Sequence, residues 1–134
     1  MDVRPFAPKD GALLFGLARL DRGADARTLE VLEHETVFVA EVGGVAAGYV
    51  ALRREGPTAC VEQLFVSPEH EGEGVGTRLL EHAEGYAISE RAEVLQVVVE
   101  PGNERAARFY RGRGFVERES VFELVLPRVE PGRG

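Results

Sequence analysis

The residues best suited to chemistry stand mid-chain, in the run Leu64-Phe65-Val66-Ser67-Pro68-Glu69-His70-Glu71-Gly72-Glu73-Gly74-Val75-Gly76-Thr77-Arg78-Leu79-Leu80. A strand-like apolar stretch meets a short turn, and three alternating glycines lead into a helical pattern. A helix start carries unpaired N–H groups and the positive end of the dipole, so it attracts anions. Glycines let the backbone approach a phosphate with no Cβ in between. The run therefore reads as a place to lay the pyrophosphate of a nucleotide-like cofactor. It is not the dinucleotide fingerprint, because Thr77 stands where the third glycine belongs, and it lacks the Gly-Lys-Ser/Thr ending of a P-loop. A tight strand-to-helix turn with no ligand would have the same sequence.

A second constellation follows in Asn103-Glu104-Arg105-Ala106-Ala107-Arg108-Phe109-Tyr110-Arg111-Gly112-Arg113-Gly114-Phe115. Asn103 and Tyr110 are about two helical turns apart and fall near one face, with Ala106 keeping that face low. Between the two constellations and the hairpins before them, Glu62 draws notice. It places a carboxylate inside the apolar run Val61 to Val66, which is costly unless the group faces a cavity or a partner. Its side-chain direction alternates with Val61. Cys60, the only cysteine, reads as a small buried residue, and no disulfide or Cys-rich metal site can be built within the chain. His70 and His82 read as surface residues. His34 ends a predicted helix, where its charge suits the dipole or where it lines an acceptor pocket. Tyr49 reads as core or groove lining. No ligand cluster points to a metal.

These residues need a scaffold, and 134 residues suffice for one domain with one core. The expected division is a single domain over 1–127 and a frayed tail over 128–134. Hydrophobic residues make up 44% of the chain, ordinary for a globular protein, and no apolar run is long enough to span a bilayer. The first residues carry no signal-peptide pattern, so a cytoplasmic setting is expected. The net charge of −7 argues against nonspecific nucleic-acid binding and suits a cationic substrate.

Periodicity and turn residues predict the elements. Val3 to Phe6 is a short strand. Asp10 caps a helix from Gly11 to about Leu20, and Ala24 to His34 forms a second helix. Thr36 to Val42 and Val45 to Arg53 form a hairpin about Gly43-Gly44. Ala59 to Val66 is a third long strand, and Val75 to about Arg91 is a helix with Val75, Leu79, Leu80, Ala83 and Ala87 on its apolar face. Val94 to Val99 reads as a strand covered on both faces. Asn103 caps a helix to about Arg113, and Phe115 to Arg118 and Val121 to Leu126 close the sheet. The order β-α-α-β-β-β-α-β-α-β-β predicts an α/β fold with a mixed central sheet flanked by helices. The crossover helix makes Ala59–Val66 and Val94–Val99 parallel neighbours.

With these motifs the chain resembles the GNAT superfamily of acyl-CoA-dependent N-acyltransferases. That family's cofactor motif, Arg/Gln-x-x-Gly-x-Gly/Ala at a strand-to-helix turn, is matched by Glu71, Gly72, Glu73, Gly74, Val75 and Gly76. Its later motif, Asn-x-x-Ala-x-x-Phe/Leu-Tyr followed by Gly-Phe, is matched by Asn103, Ala106, Phe109, Tyr110, Gly114 and Phe115. Motif order, spacing and element order all agree, so the resemblance covers essentially the whole domain. It implies acetyl-CoA as cofactor, with its pantetheine arm in a wedge between the two parallel strands. Backbone groups of Leu64, Phe65 and Val66 would bind that arm and face the thioester carbonyl. The N–H groups from Glu71 to Gly76 would hold the pyrophosphate, with Thr77 and Arg78 just behind, and Asn103 would touch the arm. Glu71 and Glu73 depart from the family's cationic pattern, which implies weaker or more salt-sensitive cofactor binding.

Acyl transfer to an amine requires a base for the ammonium, N–H donors for the oxyanion and a proton for the leaving thiolate. The resemblance implies Tyr110 as the acid. It implies Glu62 as the base, as in polyamine-type members. Glu100 is the runner-up base. Many amino-terminal protein acetylases carry Glu five residues before the motif Asn, where this chain has Val98. The expected acceptor is a primary amine, on a small cationic molecule or on a protein, and the fold leaves room for a homodimer. The alternative is a non-catalytic acyl-CoA-binding sensor or interaction module on the same fold.

Overall fold

Alternating apolar residues and a two-glycine turn bring the first half of the chain into an antiparallel sheet. The computed structural model describes residues 1–11, 35–118 and 121–128. The strands are β1 (Asp2–Pro5), β2 (Thr36–Val42), β3 (Val45–Glu55), β4 (Thr58–Val66), β5 (Val94–Val98), β6 (Val116–Arg118) and β7 (Val121–Val125). The helices are α1 (Val75–Ser89) and α2 (Glu104–Gly112). Hydrogen bonding orders the strands β1-β2-β3-β4-β5-β7-β6 in one mixed seven-stranded sheet. The described strands and helices follow one another in the predicted order. The first helix is entered at Gly11, and the two helices expected before residue 35 lie outside the described residues, as do His34 and the end of the tail.

The chain divides into two compact units. The first comprises Met1–Arg53 and Glu62–Ala83. Here β2 pairs with β3 from Val42↔Val45 to Thr36↔Leu52, with a shift between Ala40 and Glu41 that leaves Ala47 as an extra residue on β3. Such a bulge bends and re-aims a strand. The Ala47 carbonyl accepts a hydrogen bond from the Ser67 N–H at 2.7 Å, tying the bulge to the end of β4. The core contains Val37, Val39, Ala46, Tyr49, Ala51 and Phe65, with Phe6 packed against it. Helix α1 buries Val75, Leu79, Leu80 and Ala83 as its periodicity predicts. His82 is not a plain surface residue: its ring packs edge-on to Phe38 at 4.4 Å.

At the entry to this unit Asp10 has partners that the sequence did not name. Asp10 ends a short 3-10 turn over Pro8–Asp10, and the helix expected after it lies outside the described residues beyond Gly11. Its carboxylate accepts from both terminal nitrogens of Arg4 at 2.8 Å and from the Ala7 N–H at 2.9 Å. Arg4 also reaches Glu41 at 2.6 Å. The Arg4 hydrogen bond holds the Asp10 carboxyl below its ordinary range, against the opposing effect of burial. A carboxyl depressed on folding contributes stability above its unfolded value of 3.8, and loses it as pH falls through the lower folded value. Asp10→Asn should therefore cost about 2 kcal/mol at pH 7. The gap to wild type should be narrower at pH 3, below the unfolded value of 3.8. Urea unfolding at the two pH values checks this, and an equal gap at both would rule out the charged pair as the cause.

The second unit comprises Arg54–Val61 and Glu84–Gly134. The parallel ladder runs from Thr58↔Val94 to Val61↔Val97, as the crossover predicts. On its other side β5 pairs antiparallel with β7. Buried Leu95 and Val97 alternate with Gln96 and Val98, and Val98 is 66% exposed. The strand is thus buried mainly on one face rather than on both. A short apolar run is compatible with either pattern, because side-chain polarity alone does not say what packs on the second face.

Candidate functional site

The glycine turn lies wholly in the first unit. After β4, Ser67 is buried, and its carbonyl accepts from the His70 N–H at 2.9 Å to form the 3-10 turn Pro68–His70. Gly72 and Gly74 then take φ values of 81° and 83°, the left-handed region that favours glycine. A Cβ at either would meet no atom within 4 Å, so the turn faces open space. Residues Glu71 to Gly74 are exposed, whereas Val75 is buried and anchors the helix start. The first backbone bond of the helix runs from the Arg78 N–H to the Gly74 carbonyl at 3.1 Å. The N–H groups of Val75, Gly76 and Thr77 precede that ladder and point out of the helix end. Donors at the positive end of a fifteen-residue helix, preceded by two glycines that leave the approach open, form a set that fits a pyrophosphate. The Glu71 and Glu73 side chains are solvent-facing, and His70 Nδ1 lies 3.3 Å from Glu73 Oε1. Exposed carboxylates are screened, so each opposes an anion by roughly a kcal/mol or less.

Glu62 belongs to the same unit. Its side chain is 17% exposed, and its carboxylate accepts a hydrogen bond from Nε of Arg53 on β3. Beside it, Gln63 Oε1 accepts from the hydroxyl of fully buried Tyr49 at 2.6 Å. Leu64 and Val66 are half-buried and Phe65 is buried. The close neighbour of Phe65 is Gly48 on β3. A Cβ on Gly48 would lie 2.4 Å from the Phe65 carbonyl oxygen and 3.2 Å from the Val66 Cα. Neither Arg53 nor Gly48 stands out in the sequence motifs. A glycine inside a strand pattern is nonetheless a signal of close backbone approach.

The later motif lies in the second unit. Asn103 is the N-cap of α2, its Oδ1 accepting from the Ala106 N–H at 3.2 Å. Its own N–H donates to the Glu100 carbonyl at 3.0 Å. Asn103 and Glu100 border one open cleft of about 180 Å³ at the end of β5, shared with Ala107, Arg111 and Phe122. Arg111 spans the rim, bonded to Glu104 at 2.9 Å and Glu117 at 3.1 Å. Tyr110 does not line this cleft. Its ring is buried among Phe109, Phe115 and Phe122, with centroid distances of 5.2, 5.3 and 6.3 Å. Cys60 is buried, as expected of a small apolar residue.

The sequence matches the family model described as Acetyltransferase (GNAT) family over residues 12–115. It is 35% identical over 95 residues to an uncharacterized N-acetyltransferase of Archaeoglobus fulgidus, covering 66% of this chain and 65% of that protein. It is 33% identical over 98 residues to the spermidine N(1)-acetyltransferase of Escherichia coli K12, covering 70% of this chain and 53% of that protein. The chain thus spans between about half and two thirds of the length of these relatives. Its fold is similar to that of the PaiA N-acetyltransferase of Thermoplasma acidophilum in complex with coenzyme A. The TM-score is 0.76 at 17% identity, over 92% of this chain and 98% of that one. A family match across most of the chain, two family motifs and the shared strand order lead to one conclusion: this chain belongs to the GNAT acetyltransferase family.

Proposed function

We propose that this chain transfers an acetyl group from acetyl-CoA to a primary amine. The observation that carries the reading is the open glycine turn at the start of α1, with Gly72 and Gly74 in the left-handed region. Coenzyme A in the Thermoplasma neighbour and the shared family support acetyl-CoA as the cofactor.

Bound acetyl-CoA would supply an acetyl group activated as a thioester. The residues of the chain would do the rest. N–H groups of the Glu71 to Gly76 turn, with Thr77, would hold the pyrophosphate, those of Glu71 and Glu73 being already turned onto the Pro68 and His70 carbonyls at 3.4 Å. The backbone of Leu64, Phe65 and Val66 orients the arm and offers an N–H donor toward oxyanion charge. Asn103 spends Oδ1 on its cap, which leaves its amide N–H groups to offer the arm. Glu62 removes a proton from the attacking ammonium, because only the neutral amine is a nucleophile. Tyr110 would supply its phenolic proton to the leaving sulfur of the cofactor. Packing among three aromatic rings fixes that side chain.

The spermidine-acetylating relative and the charge of −7 favour a small cationic amine as acceptor, with a peptide amine as the other member of the class. The exposed Glu71 and Glu73 at the phosphate turn favour a second reading, a non-catalytic acyl-CoA sensor. Two measurements decide. Gly76→Val puts a branched side chain at the phosphate turn, and calorimetry should show CoA affinity reduced by about tenfold or more in a folded variant. Unchanged affinity would remove the phosphate site. Thiol release from acetyl-CoA should rise with spermidine or a lysine peptide. Tight binding with no amine-dependent release would establish the sensor.

A further inference from the structure

A carboxylate embedded in a strand must be offset by something. Glu62 follows buried Val61, and its side chain retains only 17% of its exposure. Shielding a lone charge to that degree costs several kcal/mol, and the usual escape is to take up a proton. A protonated Glu62 could not accept a proton from an amine. A positive charge that opposes this comes from β3, where Arg53 directs Nε onto Glu62 Oε1. A guanidinium remains charged at every working pH and holds a fixed plane. On the other side of Glu62 in sequence stands neutral Gln63, bonded to Tyr49.

We propose that Arg53 is a positioning residue for the reaction: it keeps Glu62 ionised and fixes the direction in which its carboxylate meets the acceptor amine. The proposal rests on the reading of Glu62 as the base. Arg53 touches neither cofactor nor acceptor in this role and acts only through Glu62. The contact carries both a gain and a cost. It keeps the base available toward acid pH, and it lowers the intrinsic proton affinity of that base. The acid limb of the pH–rate profile, which reports ionisation of the base, therefore belongs to the pair.

The test combines a double-mutant cycle with a titration that needs no acceptor. With acetyl-CoA and spermidine as probes, Arg53→Met should lower kcat/KM about tenfold at pH 6 and much less at pH 8, with the acid limb moving upward by about one pH unit. Arg53→Lys should recover part of the loss. In a Glu62→Gln background the same Arg53→Met change should cost almost nothing, because the residue it serves is gone. Carbon-13-labelled glutamate gives the parallel measurement: the carboxyl resonance missing from Glu62→Gln is that of Glu62. Its midpoint should rise by about one unit in Arg53→Met. An equal loss from Arg53→Met in both backgrounds, or an unmoved carboxyl midpoint, overturns the proposal while leaving Glu62 as base. A Glu62→Gln protein with wild-type turnover overturns the base reading itself, which is a separate failure.

Discussion

Tyr110→Phe should lower turnover by two to four orders of magnitude while CoA affinity changes little. The substitution keeps the ring and therefore its packing against Phe109, Phe115 and Phe122. It removes one hydroxyl, the group that donates to the leaving thiolate. A simple thiol has a pKa near 8.5, so at neutral pH the departing sulfur ends as the protonated thiol and a nearby donor supplies that proton. The ring is 6% exposed, which means that solvent has little access to take over as donor. Losing a hydroxyl from such a site costs stability of about 1–2 kcal/mol at most, and a thermal melt separates that from a catalytic loss. Stopped assays of CoA release on an acceptor confirmed with wild type provide the measurement. Wild-type rates in a folded variant would dismiss Tyr110 as the acid. If Glu62→Gln also kept wild-type rates, Glu100, the runner-up base, exposed on the cleft it shares with Asn103, would be the next residue to substitute.

Gly48→Ala should be the most damaging glycine-to-alanine change among the described glycines of the first unit. Its Cβ would sit 2.4 Å from the Phe65 carbonyl oxygen, 3.2 Å from the Val66 Cα and 3.4 Å from Leu79 Cδ1. The first two are backbone atoms of a paired strand, so relief requires β3 and β4 to separate locally. Overpacking of this kind costs about 3 kcal/mol. For a chain of this size that corresponds to a fall in Tm on the order of 10 °C. A urea midpoint equal to wild type would show that the strands have room to part. The same displacement moves the backbone of Phe65 and Val66, which the proposed mechanism assigns to the pantetheine arm. Any folded fraction should accordingly bind CoA more weakly, whereas Gly85→Ala, with no atom within 4 Å of its Cβ, should not.

The elements and the two motifs were legible because their signals are local. Glycine spacing, an Asn cap and apolar periodicity act within a turn or two of the chain, and Val75, Leu79, Leu80, Ala83 and Ala87 are buried as that periodicity requires. The parallel pairing of β4 with β5 was legible for a topological reason, since a crossover helix leaves few alternatives.

What depended on register was not legible. The Asp10 carboxylate meets Arg4 and the Ala7 N–H, a pairing that no local pattern announces. Gly48 meets Phe65, and Arg53 meets Glu62, only once β3 and β4 have a fixed alignment and β3 has absorbed its extra residue at Ala47. A one-residue slip reverses which face every side chain occupies, so no inspection of Glu62 alone could name its partner. By itself the sequence determined the family, the order of elements and the presence of an anion-ready turn. The tertiary structure alone decided which charge neutralises the buried carboxylate and where the strands must touch, because long-range pairings are settled by packing and register rather than by neighbours along the chain.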